Sequence, residues 1–188
     1  MEFRQPWEAS IFAPTPPLEA LRAILSLAAT DVVGRKKHDR RGDSVRRTQV
    51  SIIDIKRAYF NAVIEDGKPV FVELPDEDPD KAKGMCAQNR VHMYGTRSAG
   101  EGWHNDYSRH LTESMGFVKG AASSCVFRHI ERDIVSSVYG DDFTTTGSCE
   151  DLDWFKEKLE EKYELVELAR LGPGEGDDKE GRVLNRVV

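Results

Sequence analysis

The sequence predicts an α+β domain built on a split βαβ (ferredoxin-like) antiparallel sheet, with helices on one face. Three observations predict it. Short β-rich runs recur along the chain, two helical periodicities separate them, and their order is strand 50–55, helix 99–115, strand 134–139, strand 143–146, helix 152–163, strand 182–188. With 188 residues of which 39% are hydrophobic, the chain suffices for one core.

Each element has a local reason. Thr15-Pro16-Pro17 before Leu18 reads as a helix start, with Thr15 as cap and proline tolerated in the first turn. Leu18, Leu21, Leu25 and Ala28 then fall on one face. Val50-Ser51-Ile52-Ile53-Asp54-Ile55 is β-rich and reads as a strand ending near Asp54. Residues 68–75 form a second extended segment bracketed by Pro69 and Pro75. Trp103, Tyr107, Leu111 and Met115 repeat every four residues and share a helix face, and Gly116 closes that helix. Residues 124–129 and 134–139 read as strands around a tight turn, with 143–146 continuing after Gly140-Asp141-Asp142. Leu152, Phe155, Leu159 and Tyr163 mark the buried side of a helix over 152–163. Residues 182–188 read as the closing strand.

The formal net charge is −6, from 27 Lys+Arg against 33 Asp+Glu. Phosphate binding normally draws on a basic excess, so the total argues against a nucleic-acid coat. The charges are unevenly placed, however. Arg35, Lys36, Lys37, Arg40, Arg41, Arg46 and Arg47 face only Asp39 and Asp43. That stretch reads as an exposed loop, either a contact for phosphates or a solvated insertion. Acids gather over 73–80 and 150–167, and a Gly-rich acidic loop covers 172–181. The last lacks the strand and helix that a phosphate-binding glycine motif needs. No run of 18 apolar residues is present, which excludes a transmembrane helix and argues against a membrane partner. The N-terminus lacks the order of a secretory signal. Cys86, Cys125 and Cys149 are odd in number and far apart, which argues against a disulfide framework or a thiolate zinc site. Cys125 reads as core, and Cys149, beside a helix start where thiolate is favoured, also reads as structural. A reduced intracellular compartment fits this usage.

Asp141 and Asp142 stand between two apolar strands, and adjacent carboxylates repel unless a cation, a partner base or water relieves them. An exposed, solvated acidic turn is the plain alternative. Asp54 adds weight to the first reading. In a split βαβ order its strand, 50–55, and the strand over 134–139 are central neighbours, which would set Asp54 beside the Asp141-Asp142 turn and bring three carboxylates to one sheet end. Such a set suits a hard divalent cation bound through oxygen. Mg²⁺ (or Mn²⁺), two ions per site, would activate a hydroxyl and offset the charge of a leaving pyrophosphate, the chemistry of nucleotidyl transfer.

These residues carry a family resemblance. Asp54-Ile55-Lys56-Arg57-Ala58-Tyr59-Phe60-Asn61 resembles the first catalytic motif of the reverse transcriptases of copia-type LTR retrotransposons. Tyr139-Gly140-Asp141-Asp142 resembles their tyrosine-x-Asp-Asp motif, and the segment from Tyr94-Gly95 to Trp103 resembles the stretch between the two. Phe71-Val72-Glu73-Leu74-Pro75 and the pairs Gly116-Phe117 and Val126-Phe127 match the flanks, and Leu184-Asn185-Arg186-Val187 occupies the place of the primer-gripping strand. The resemblance spans about Ile11 to the last residue.

The resemblance implies a right-hand polymerase palm over 50–188 with a partial fingers segment over 1–49. It implies RNA-directed DNA polymerase activity of a Pol polyprotein, adding dNTPs to a primer on an RNA or DNA template. Asp54, Asp141 and Asp142 would be catalytic and hold the metal with the Ile55 carbonyl. Tyr59 would exclude a ribose 2′-hydroxyl, and Ser98 and Ala99 would meet the incoming nucleotide. Tyr139, Gly140 and Asn185 would touch nucleic acid. The rest of the fingers, the thumb, RNase H and integrase would belong to the parent polyprotein, in a cytoplasmic particle and/or the nucleus. In the middle segment Ser98-Ala99-Gly100 stands where the family has glutamine, alanine and proline, and serine reaches less far toward a sugar. Two other readings follow from the same residues: an inactive, truncated remnant that keeps the fold, and another two-metal nucleotidyl transferase or cyclase.

Overall fold

A strand that is apolar on both faces has to be covered on both, and Thr48–Ile55 (β1) organises the architecture on that principle. The computed structural model describes residues 14–30, 48–65 and 69–188; the basic stretch 35–47 and Lys68 lie outside them. Among the described residues three helices, Leu18–Ala29 (α1), Ala99–Arg109 (α2) and Cys149–Glu160 (α3), accompany ten strands. After β1 these are Val70–Glu73 (β2), Cys86–Asn89 (β3), Val118–Lys119 (β4), Val126–His129 (β5), Ile134–Tyr139 (β6), Asp142–Ser148 (β7), Leu165–Leu171 (β8), Arg182–Val183 (β9) and Arg186–Val187 (β10). The described residues fall into two units, Arg57–Tyr107 with Pro14, and Thr15–Lys56 with Ser108–Val188. None of the described helices is long and apolar enough to cross a membrane.

The larger unit holds a six-stranded antiparallel sheet in the order β4-β5-β6-β7-β1-β8. The order of its last four strands is that of a split βαβ sheet, but β8 takes the place the sequence gives to residues 182–188, and β7 rather than β6 neighbours β1, because the tight β6–β7 hairpin brings β7 in to pair with β1. Alternation along β1 sends Val50 and Ile52 to one face and Ser51 and Ile53 to the other. On the first face α1 contributes Leu21 to a cluster with Val50, Ile52, Ala169 and Val183. On the second, Phe143 of β7, paired with Ile53, meets Phe155 of α3, which also meets Phe117. The π turn His110–Ser114 joins that face, where His110 packs on Tyr163 and its Nε2 lies 3.2 Å from the Lys158 carbonyl. The expectation of helices on one face therefore holds for α3 and this turn, while α1 covers the opposite face. The cause is β1 itself: Val50, Ile52, Ile53 and Ile55 are all 3% exposed or less.

Several sequence expectations change. The closing strand of the main sheet is β8, not residues 182–188. The latter form a small hairpin, β9 with β10, because Leu184 and Asn185 both have positive φ and reverse the chain. The segment around 68–75 is not an isolated extension, since β2 pairs with β3 in the smaller unit. Thr15 does not cap α1; Pro17 occupies the N-cap, with no side-chain hydrogen bond. The helix predicted over 99–115 ends in the π turn, then Met115, with Gly116 at φ +75° closing it. Helix α3 starts three residues earlier than predicted, because Ser148 accepts from the Asp151 N–H and sets the N-cap.

Candidate active site

The β6–β7 hairpin carries the acidic doublet. Tyr139 pairs with Asp142, so Gly140 and Asp141 are the two loop residues. Gly140 has φ +63° and Asp141 does not share the positive sign, the pattern of a type II′ hairpin with glycine first. A Cβ at Gly140 would meet nothing within 4 Å, so glycine is needed there for its backbone angle and not for space. The tight turn places Asp141 at the tip and Asp142 as the first residue of β7.

Strand β1 delivers the third acid. The Ile55 N–H donates to the Asp141 carbonyl at 3.0 Å, tying the strand end to the hairpin tip. Asp54 and Asp142 are therefore the adjacent, non-hydrogen-bonded pair, the arrangement that brings facing side chains closest. In an extended strand the N–H and C=O of one residue point the same way, so the Ile55 carbonyl also faces the hairpin side. Carboxylate oxygens of Asp54, Asp141 and Asp142 all lie within 4.8 Å of one another, and all three residues are partly buried.

That proximity has an electrostatic consequence. Burial, then Asp141 and Asp54, push the Asp142 carboxyl up to about 6. Asp54 is also raised, first by burial and then by Asp141, and Lys56 partly opposes this. Among the described residues, no side chain brings Asp54 or Asp142 below its usual range in the way that Arg170 brings Glu167 down elsewhere on the same sheet. A cluster of oxygens, acidic, partly buried and mutually repelling, is the donor set of a hard divalent cation, and the residues present fit Mg²⁺ or Mn²⁺.

The other predicted residues are distributed as follows. Tyr139 and Gly140 belong to the same hairpin as the doublet, and Tyr139 is exposed. Asn185 stands at the turn of the β9–β10 hairpin. Tyr59, Ser98 and Ala99 lie in the smaller unit. There the Tyr59 ring, on the 3₁₀ turn Ala58–Asn61, rests 4.4 Å from the Tyr94 ring, centroid to centroid. Ala99 is buried at the first position of α2. Ser98 Oγ lies 3.4 Å from His92 Nδ1.

His92 escaped the sequence reading. It is buried, its N–H donates to the Ala62 carbonyl, and burial holds its imidazole below the usual range against Glu101 and Glu65. Gly102 makes room for it, since a Cβ there would come within 2.1 Å of His92 Nε2. His92 precedes the helix that carries Gly102, so no single helical or strand period links them, and only the packed structure pairs them. Lys56 also escaped; its position two residues after Asp54 was the available signal. Cys125 is buried as expected. Cys149 is not thiolate-prone, because burial and Asp153 raise its thiol despite Arg170.

Residues 7–173 match the reverse transcriptase (RNA-dependent DNA polymerase) family, which covers most of the chain. The chain belongs to that family, whose members are RNA-directed DNA polymerases and generally use divalent metals. The matched residues include both acidic motifs and stop short of Asn185. Neither the curated proteins nor the solved structures gave a match.

Proposed function

We propose that this chain is the palm of a copia-type retrotransposon reverse transcriptase, with a fingers fragment over 1–49 and the palm over 50–188. It acts by two-metal transfer of dNTPs to a primer 3′-hydroxyl. The observation that carries the reading is the meeting of Asp54, Asp141 and Asp142 at one end of the sheet. These carboxylates would hold Mg²⁺ or Mn²⁺ with the Ile55 carbonyl. Bound there, the cations would lower the pKa of the primer hydroxyl and offset the charge developing on pyrophosphate. With its carboxyl at about 6, Asp142 is about nine-tenths ionised at pH 7 and available as a ligand. The Ile55–Asp141 hydrogen bond holds the hairpin tip to β1, so all three acids keep their spacing without rearrangement.

In this reading Tyr59 selects dNTP over NTP by sterics, and the Tyr94 ring beside it supports its orientation. Ser98 and Ala99 meet the nucleotide, while Tyr139, Gly140 and Asn185 contact primer and template. The thumb, RNase H and integrase belong to the parent polyprotein, working inside the cell in a cytoplasmic particle and/or the nucleus. One observation favours a second reading, a remnant without turnover. Ser98 replaces the family's glutamine and lies within reach of His92.

Primer extension distinguishes the two. The purified chain, complemented with fingers and thumb in trans, is given a primed RNA template, dNTPs and Mg²⁺ or Mn²⁺. The polymerase reading expects metal-dependent extension that Asp141→Asn abolishes and that favours dNTPs over NTPs. No extension under any of these conditions would leave the remnant reading.

A further inference from the structure

Beside the three acids the sheet places a cation, Lys56, to which the motif reading gives no role. Beyond the pair Ile55 and Leu165, the Lys56 N–H donates to the Glu164 carbonyl at 2.9 Å, so the β1–β8 ladder continues one step past the assigned strand. Lys56 follows Asp54 by two positions and emerges on the same face. Its charge acts on Asp54, the acid it partly relieves. Its ion pair, however, is with Glu164, at 2.8 Å, and both side chains are about half exposed, at 45% and 52%.

An ion pair this exposed contributes little, so exchanging its carboxylate for another anion costs little. An ammonium group has three donors, and Glu164 takes one of them. Cations held by the acids would bring phosphate oxygens to this end of the sheet, with a lysine already beside them. We propose that Lys56 is a substrate-binding residue that contacts the phosphate oxygens of a nucleoside triphosphate, with Glu164 holding its ammonium in reserve until the nucleotide arrives. The inference rests on the reading of the acids as a metal site.

The test uses the full chain and two titrations by calorimetry, one with Mn²⁺ alone and one with Mn²⁺ plus dATP. Lys56→Ala should weaken dATP binding about tenfold, the loss of one charged contact. The same change should leave Mn²⁺ alone bound as tightly or about threefold more tightly, because a repelling charge has gone. Lys56→Arg should retain most of the dATP affinity, and Glu164→Gln should increase it by freeing the lysine. A folding defect would weaken both titrations together. Nucleotide affinity within twofold of wild type in Lys56→Ala, or equal weakening of metal and nucleotide, overturns the role of Lys56 while the metal site stands. Mn²⁺ binding that is absent, or unchanged in Asp54→Asn and Asp142→Asn, overturns the metal site and this inference with it.

Discussion

Two carboxylates one ladder step apart on the same strand pair have opposite fates. Asp54 of β1 faces Val166 of β8, and the preceding Ile53 faces Glu167. Burial raises both, and what differs is the company. Glu167 accepts from Arg170 and Ser51 and has Lys156 at 3.5 Å, and these lower its carboxyl below the usual range despite its burial. Arg170 in turn pairs with Asp153 of α3 at 3.1 Å. Asp54 instead has Asp141 and Asp142 as neighbours and stays raised. The α3 side of the sheet uses its charges to fasten a helix to a strand. The end of the sheet leaves like charges together, which is costly for the fold and useful only when a cation arrives.

Substitution should separate the two regions. The largest effect is expected for Asp142→Asn, which removes a ligand from the acidic cluster. Metal-dependent primer extension should fall by more than about a hundredfold, a loss in the range of one key electrostatic group. Denaturant unfolding should show the same variant at least as stable as wild type, because repulsion is relieved. Extension near wild-type levels would break the contrast. Arg170→Ala should do the reverse. It leaves Glu167 without its main partner and should lower stability by about 1–3 kcal/mol, read from the denaturation midpoint. Its effect on Mn²⁺ affinity should stay within about twofold.

The pH dependence should have opposite signs in the two regions. Asp142 binds its proton more tightly folded than unfolded, with a carboxyl raised from 3.8 to about 6. Its contribution is therefore greatest below about pH 4 and is lost as pH rises toward 6. After allowance for solvent screening the change is about 1–2 kcal/mol. Glu167 is lowered from 4.5, so its contribution is present above that value and disappears as pH falls below it. Stability against pH, measured on wild type, Asp142→Asn and Arg170→Ala, should show the first slope missing in one variant and the second missing in the other. A profile that neither substitution changes would remove the electrostatic basis of the contrast. The smallest effect concerns the turn. Gly140→Ala forces a left-handed residue and should cost about 1 kcal/mol in stability, with Mn²⁺ affinity falling severalfold as the tip shifts. An unchanged midpoint would show that the turn relaxes freely.

Much of this site was legible in the sequence, because an acid at the end of an apolar run and a doublet between two apolar runs break the hydrophobic pattern conspicuously. The split βαβ order then implied that they meet. The strand that completes that order was not legible. In Leu165-Val166-Glu167-Leu168-Ala169-Arg170-Leu171 the ladder slips between Ile52 and Ile53, leaving Leu168 as the extra residue and breaking the period of two. Charges at Glu167 and Arg170 further disguise it, since they are satisfied by one another, by α3 and by Ser51 once the strand is packed. The valine-rich tail looked more strand-like than it is. The cover of α1 over the opposite face was also hidden, because amphipathicity gives one buried side to a helix but does not say which face of a sheet receives it.

The central claim is that Asp54, Asp141 and Asp142 form a divalent-cation site. The most direct measurement is thermal unfolding of the full chain at pH 8 with increasing Mg²⁺ or Mn²⁺, in wild type and in Asp142→Asn. Binding to the folded state at ten times the dissociation constant stabilises by about 1.4 kcal/mol. The account predicts a saturable rise of a few degrees in the wild type, greatly reduced in the variant. No metal-dependent rise in the wild type, or an equal rise in both proteins, would contradict it.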